Sequence, residues 1–273
     1  IVTCATLSAF SYINSKTAIS EKVNTSLEWK AQDVSSYIEE FVRRTKGEVE
    51  SIAEQPAIQS MDLAQQFAYL NERMEKSTDY VGFGIVDANG IAHYSDKTTA
   101  DLADRDYIKA AFTGETAMSD TLISRVTNEP VIMIATPIQT VTGEKALLLA
   151  RMDGYFLSNV MTDIQVGESG YAVIVNSEGT IQGHPDKQFV KDQINFIAQA
   201  EEAGQQTGES RATAEMIQND TGYFEYEDAD GVQRLMAYYT LENGWTMGVI
   251  ASDEEMFASL GDMVKSLMIS TIM

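Results

Sequence analysis

Asp104-Arg105-Asp106-Tyr107-Ile108-Lys109-Ala110-Ala111-Phe112, closed by Gly114, reads as a short helix ended by a glycine. Met118-Ser119-Asp120 follow, then the apolar strand Val131 to Ile138, a turn at Gly143 and a last strand from Ala146 to Met152. Helix, strand, strand is half of a small α/β module. The rest of the chain can be read as what holds that module in place.

Upstream and downstream of this stretch lies a repeat. Ile85-Val86-Asp87-Ala88-Asn89-Gly90-Ile91-Ala92-His93-Tyr94-Ser95-Asp96 parallels Ile174-Val175-Asn176-Ser177-Glu178-Gly179-Thr180-Ile181-Gln182-Gly183-His184-Pro185-Asp186. Each copy is a strand, a tight turn with Gly where a positive φ is needed, and a second strand. Two copies, each followed by helix and further strands, indicate two modules, placed at 57–153 and 154–251. The second continues with a helical insert from Lys187 to Gln218, a strand from Gly222 to Tyr226 and an Asp230-Gly231 turn. It ends in strands from Val232 to Thr240 and from Trp245 to Ala251. Ser252-Asp253-Glu254-Glu255 has capping-box spacing, so an exit helix over 252–273 should start directly from the last strand.

Residues 1–56 read as one long helix. From Val23 onward Leu27, Ala31, Val34, Ile38, Phe41, Thr45, Val49 and Ile52 recur in steps of three and four and draw a single stripe. Gln55-Pro56 should end it, because proline pushes the preceding residue out of the helical region. Starting near Leu7, such a helix spans roughly 48 residues, about 70 Å. A further helix is expected from Met61 to Met74. Ile1 to Ile13 is mostly apolar or small and Ser266 to Met273 carries no charge. With a first residue other than Met, these ends read as clipped membrane spans on a piece of a longer protein, each shorter than the about 20 residues a span requires. Amphipathic helices packed on the body are the alternative, above all at the C-terminal end.

The net charge of −22 repels phosphate backbones and anionic headgroups, which argues against nucleic acid as a partner. The single cysteine, Cys4, rules out an internal disulfide and stands beside neither histidine. Gly167-Glu168-Ser169-Gly170 has the serine of a nucleophile elbow, but Tyr171 stands where the second glycine is required. Asp228-Ala229-Asp230-Gly231 has the look of a calcium loop, but Tyr226 holds its first ligand position and Ala237 its twelfth, so a hairpin turn is expected. His93 and His184 have no second ligand at metal spacing. No catalytic residue, metal site or cofactor is expected.

The long helix, Asp104-Arg105-Asp106-Tyr107 with Gly114, Thr136-Pro137-Ile138, and the run from Gly167 through Asn176 to Gly183-His184-Pro185-Asp186 together resemble the double-Cache (tandem PAS-like) ectodomains of bacterial chemoreceptors and sensor kinases. The resemblance covers most of the chain from about Ser20 to Leu260. It implies an α+β fold: a long N-terminal helix with two stacked PAS-like modules, each a central antiparallel sheet flanked by helices. In that family the Arg and Tyr of the short helix, an Asp near the next strand and residues of the last strand line the ligand pocket. Here these positions are Arg105, Tyr107, Asp120 and Arg151. Tyr94, Phe83 and Met133 lie on strands expected to face the pocket, with ordinary core packing as the alternative for all three. Arg105 flanked by Asp104 and Asp106 also fits a solvated ion-pair cluster.

The branch that binds free amino acids carries a Trp shortly after the helix arginine and an acid on the last strand. This chain has Asp106-Tyr107 and Arg151 instead. The expected ligand therefore carries an anionic group, carboxylate ahead of phosphate, and is not a plain α-amino acid. Asp104, Asp106, Asp120 or Asp153 neutralising the two arginines internally is the alternative. By resemblance the chain is the periplasmic sensor of a homodimeric transmembrane chemoreceptor, anchored in the cell inner membrane through its flanking helices. It would bind a small molecule in its membrane-distal module, 57–153, and not in the proximal one. Ectodomains of sensor histidine kinases or diguanylate cyclases are the alternative, followed by a soluble binding protein or an enzyme.

Overall fold

The computed structural model describes residues 2–140 and 143–258, with side chains from 20 onward. Helix α1 (Val2–Ala53) buries Leu27, Ala31, Ile38, Val49 and Ile52, the line that the apolar spacing draws, with Ser35 and Thr45 beside them. It stops where proline requires it to. Gln55 is extended, at φ −67° and ψ 138°, and Pro56 opens the short α2 (Pro56–Gln59). Helix α3 (Leu63–Lys76) begins two residues later than expected from the sequence. Asp62 is extended there and its carboxylate accepts the backbone N–H of Ala64 and Gln65, a cap that fixes the start. The side chains of Ile1 to Ile13, and Ser266 to Met273 entirely, lie outside the described residues. Among the described residues no helix is long and apolar enough to cross a membrane.

Two compact units follow. The first comprises Ile38–Leu157 with Lys187–Gln193. It contains β1 (Tyr80–Val86), β2 (Ile91–Tyr94), β3 (Thr99–Asp101), α4 (Asp106–Phe112), β4 (Ala117–Met118), β5 (Leu122–Ile123), β6 (Pro130–Ile138) and β7 (Ala146–Asp153). Its antiparallel sheet runs β3-β2-β1-β7-β6-β4, and β5 also pairs with β6. The second combines the earlier part of α1 with Ser158–Asp186 and the described chain from Ile194 on. After α5 (Phe156–Thr162), which starts in the first unit, come β8 (Tyr171–Val175) and β9 (Ile181–Gly183). The predicted insert resolves into α6 (Gln188–Lys191), which belongs to the first unit, and α7 (Phe196–Ala203) and α8 (Gly208–Gln218) of the second, where β10 (Thr221–Glu227), β11 (Gln233–Thr240) and β12 (Thr246–Ser252) complete the sheet β10-β11-β12-β8-β9.

Both sheets set the first strand beside the last and the second strand outside the first, so one topology is used twice. The repeated hairpins share their turn chemistry as well. Asp87 Oδ1 accepts the N–H groups of Asn89 and Ile91, and Asn176 Oδ1 accepts those of Glu178 and Thr180. Gly90 and Gly179 close these turns at φ 82° and 84°. Asp228 does the same for Asp230 and Val232, with Gly231 at φ 80°, between β10 and β11. The Asp228–Gly231 segment is thus a hairpin turn.

The expected capping box at Ser252 is only half formed. Ser252 Oγ accepts the Glu255 N–H at 3.5 Å, but the Glu255 carboxylate accepts the N–H groups of Glu168 and Ser169, at 2.9 and 3.3 Å. The turn at Gly167–Gly170 is therefore held by a side chain from the helical residues 253–258. Arg234 holds it from the sheet, donating to the carbonyl and hydroxyl oxygens of Ser169 and pairing with Asp228 at 2.7 Å. His184 Nδ1 accepts the Asp186 N–H at 3.0 Å, the local loop bond that a following proline favours.

Candidate ligand-binding site

Register decides which side chains of the first unit meet. Gly82, Gly84 and Val86 of β1 stand opposite Arg151, Leu149 and Leu147 of β7, and Gly84 and Val86 also stand opposite Tyr94 and Ala92 of β2. Arg151 and Leu149 face Met133 and Ala135 of β6. Partners across an antiparallel pair share a face. Helix α4 covers this one, burying Tyr107, Ile108 and Ala111 against Val86, Ala92, Val131, Met133, Ala135, Leu147 and Leu149. A fully buried side chain such as Ile108, 1% exposed, contributes about 1.5–3 kcal/mol.

Arg105 is the last extended residue before α4, at φ −73° and ψ 132°. The turn that places it is tied to the β1–β2 hairpin through the Leu102 N–H to the Gly90 carbonyl. Its neighbours do not neutralise it. Asp104 pairs with Arg125 through two bonds, at 2.8 and 2.6 Å, and Asp106 pairs with Lys109 at 2.9 Å. The ion-pair cluster considered for Asp104-Arg105-Asp106 therefore forms without Arg105. The Arg125 hydrogen bond holds the Asp104 carboxyl well below its usual range, at about 2. Arg125 also donates to the Asp101 carbonyl at 2.9 Å, so the β5–β6 loop is fastened to the segment that leads into α4.

Arg151 lies flat over Gly82. A Cβ at Gly82 would stand 2.8 Å from Arg151 Nη2 and 3.2 Å from its Cζ, so the guanidinium occupies space that the glycine leaves open. Arg151 Nη2 donates to the Val81 carbonyl at 3.3 Å, and the guanidinium carbon is 6.0 Å from the centre of the Tyr94 ring. The Nε atoms of Arg105 and Arg151 are both buried with no hydrogen-bond partner. Among the described residues neither guanidinium belongs to an ion pair. Tyr107 is close enough to feel Arg105, and Tyr94 to feel Arg151. Burial pushes the Tyr107 phenol up to about 12 against the opposing pull of Arg105, and burial raises Tyr94 against Arg151. Both are neutral phenols able to donate.

Arg105, Tyr107, Tyr94, Arg151 and Met133 thus share the α4 side of the sheet. Phe83 does not: it pairs with Ala150 on the opposite face and packs on Tyr80, ring centres 4.9 Å apart. Strand alternation sends it there. Asp120 is exposed on the segment between β4 and β5, next to Ser119, which is bonded to the Met133 backbone in both directions. Two participants were not foreseen, Arg125 and Gly82. Glycines alternating at Gly82 and Gly84 inside a strand were the available signal for the second.

A family model described as a Cache domain matches residues 15–260. The chain belongs to the Cache-domain family. Its Cache fold is shared by the ligand-binding domain of the Pseudomonas fluorescens chemoreceptor CtaA in complex with L-isoleucine, at 21% identity and TM-score 0.69, covering 90% of this chain and 98% of that one. The ligand-binding domain of the Pseudomonas aeruginosa PAO1 chemoreceptor PctB with L-Arg is similar at 17% identity and TM-score 0.66, covering 87% and 98%. The extracellular domain of the putative histidine kinase mmHK1S-Z2 matches at 14% identity and TM-score 0.66, covering 88% and 99%. A search of curated proteins finds no match. The two units described above make this a Cache sensor domain with the double PAS-like arrangement.

Proposed function

We propose that this Cache domain is the periplasmic sensor of a chemoreceptor anchored in the cell inner membrane, and that its first unit, the membrane-distal module, captures a small anionic metabolite. The observation that supports this most is the pair of partly buried guanidinium groups, Arg105 and Arg151, whose Nε atoms are buried without a partner on the face covered by α4. A buried donor left unmet costs about 1–3 kcal/mol, a cost that an anionic ligand offsets where it meets the donor. In the second unit Arg234 is paired internally with Asp228. The chain acts by binding and carries out no reaction. A histidine kinase ectodomain is the second reading, favoured by the extracellular domains among its structural neighbours.

A panel of organic acids, amino acids and amines, screened by melting temperature on the 273-residue chain, tests the ligand class. Organic acids should raise the melting temperature. A rise given only by neutral or cationic compounds defeats the proposal, and a rise given by ordinary amino acids alone places the chain with CtaA and PctB in ligand class.

The same reading includes a homodimer through α1. Trp29 is 70% exposed and Tyr37 56%, two helical turns apart, so α1 presents aromatic surface beyond its buried stripe. Cysteines placed one at a time from Lys30 to Glu50 in the full receptor should crosslink with helical periodicity, and a flat profile would reject the dimer.

A further inference from the structure

We infer that Arg151 forms a second anion subsite beside Arg105, so that the ligand of this face is a dicarboxylate, with one carboxylate for each guanidinium. The inference rests on the reading that this face holds the ligand, and goes beyond it in fixing the number of charges.

Of the internal anions that could serve Arg151 and Arg105, Asp104 and Asp106 are paired with other cations, and among the described residues no carboxylate, Asp120 included, forms an ion pair with either arginine. Asp104 is taken by Arg125, and Asp106 by Lys109. Asp153, two residues along β7, accepts the Tyr155 N–H at 2.9 Å. Asp96 feels Arg151 only weakly and is held by the hydroxyl and N–H of Thr98, at 2.6 and 2.9 Å. Arg151 itself is built into place: it rests on the bare Gly82 backbone, one Nη bond goes to the Val81 carbonyl, and the Tyr94 ring stands over it. A guanidinium so placed keeps N–H groups that these contacts do not use, its Nε–H among them.

The count of charges follows from the geometry of a guanidinium. The side-on fork of Nε–H and one Nη–H takes both oxygens of one carboxylate. Each of the two arginines has an unmet Nε–H, so one carboxylate satisfies one arginine and leaves the other exposed as a desolvated charge. Two carboxylates on one carbon chain satisfy both. The core residues of this face, Tyr107 and Met133 with Tyr94 packed on them, offer apolar surface suited to a short methylene spacer, and the two phenols add donors.

Calorimetry on the 273-residue chain with malonate, succinate and glutarate against propionate, butyrate and valerate, with methyl phosphate alongside, tests this. At least one diacid should bind about tenfold or more tightly than the monoacid of equal length, about 1.4 kcal/mol. Arg151→Gln should remove that advantage by weakening the diacid about tenfold more than the monoacid, and Arg151→Lys should restore part of it, keeping charge without the fork. Arg105→Ala should weaken mono- and diacids together. The second subsite is overturned if no diacid binds, if diacids and monoacids bind alike, if Arg151→Gln weakens both equally, or if methyl phosphate binds best. Binding of any acid that is insensitive to Arg105→Ala instead overturns the site itself.

Discussion

Arg105→Ala should weaken the bound anion about a hundredfold and abolish the ligand-induced rise in melting temperature, while the unliganded protein melts within a degree or two of the original. Truncating one member of a desolvated charge pair costs about 2–5 kcal/mol, and each 1.4 kcal/mol is a factor of ten. The unliganded fold should not notice, since the Arg105 backbone makes the contacts that start α4: its carbonyl accepts the N–H groups of Ile108 and Lys109. Alanine keeps those bonds and relieves a buried Nε of its unmet donor. Tyr107 requires a different substitution. At 7% exposed it is part of the core, and Tyr107→Ala would open a cavity costing about 3 kcal/mol or more. Tyr107→Phe keeps the packing and isolates the hydroxyl. A melting shift that survives Arg105→Ala would put the ligand elsewhere.

Arg234→Met should cost the second unit about 3 kcal/mol near neutral pH, the usual result of stripping one partner from a mostly buried ion pair. The Arg234 and Asp228 side chains are 11% and 13% exposed, and the same guanidinium also bonds Ser169, so the substitution loosens a hairpin turn and the turn before β8 together. Acid should narrow the difference. Burial pushes the Asp228 carboxyl up, but the Arg234 hydrogen bond and the Val232 N–H outweigh it and leave the group below its ordinary 3.8. Stability from such a group is present in full above the ordinary value and is lost as pH falls through the folded one. The gap between the original and Arg234→Met should therefore shrink as chemical denaturation is repeated from pH 5 down to about pH 2. A gap that stays constant over that range would mean the loss comes from packing alone.

Much of the fold was legible because its signals are local. Apolar steps of three and four specify α1, Pro56 stops it through a clash with its own neighbour, and an Asx residue followed by a late Gly marks each hairpin. The side of the sheet on which a residue falls was not legible. Six of the seven residues in β1 are buried, as are six of the eight in β7, so neither strand alternates between polar and apolar, and Phe83 carried no mark of its face. The partners of charged residues were equally hidden. Asp104 reaches Arg125 across a loop, and nothing in the spacing of the two residues distinguishes that from a bond to the adjacent Arg105. The start of α3 was misjudged for a milder reason: a capping aspartate two residues into an apolar run outweighs the run.

The pairing of β1 with β7 slips between Tyr80 and Gly82, and that irregularity bears on how the two faces of the sheet communicate. On one side of it the Val81 carbonyl receives Arg151, and on the other the Tyr80 phenol is buried against Glu48 of α1, its ionisation opposed first by burial and then by that carboxylate. Glu48 in turn holds Arg73 of α3 at 2.9 Å. A single peptide link separates Val81, which touches Arg151, from Tyr80, which meets Glu48 of the long helix. Substitutions at Arg151 and at Glu48 therefore bear on adjacent residues of one strand, reached from different elements.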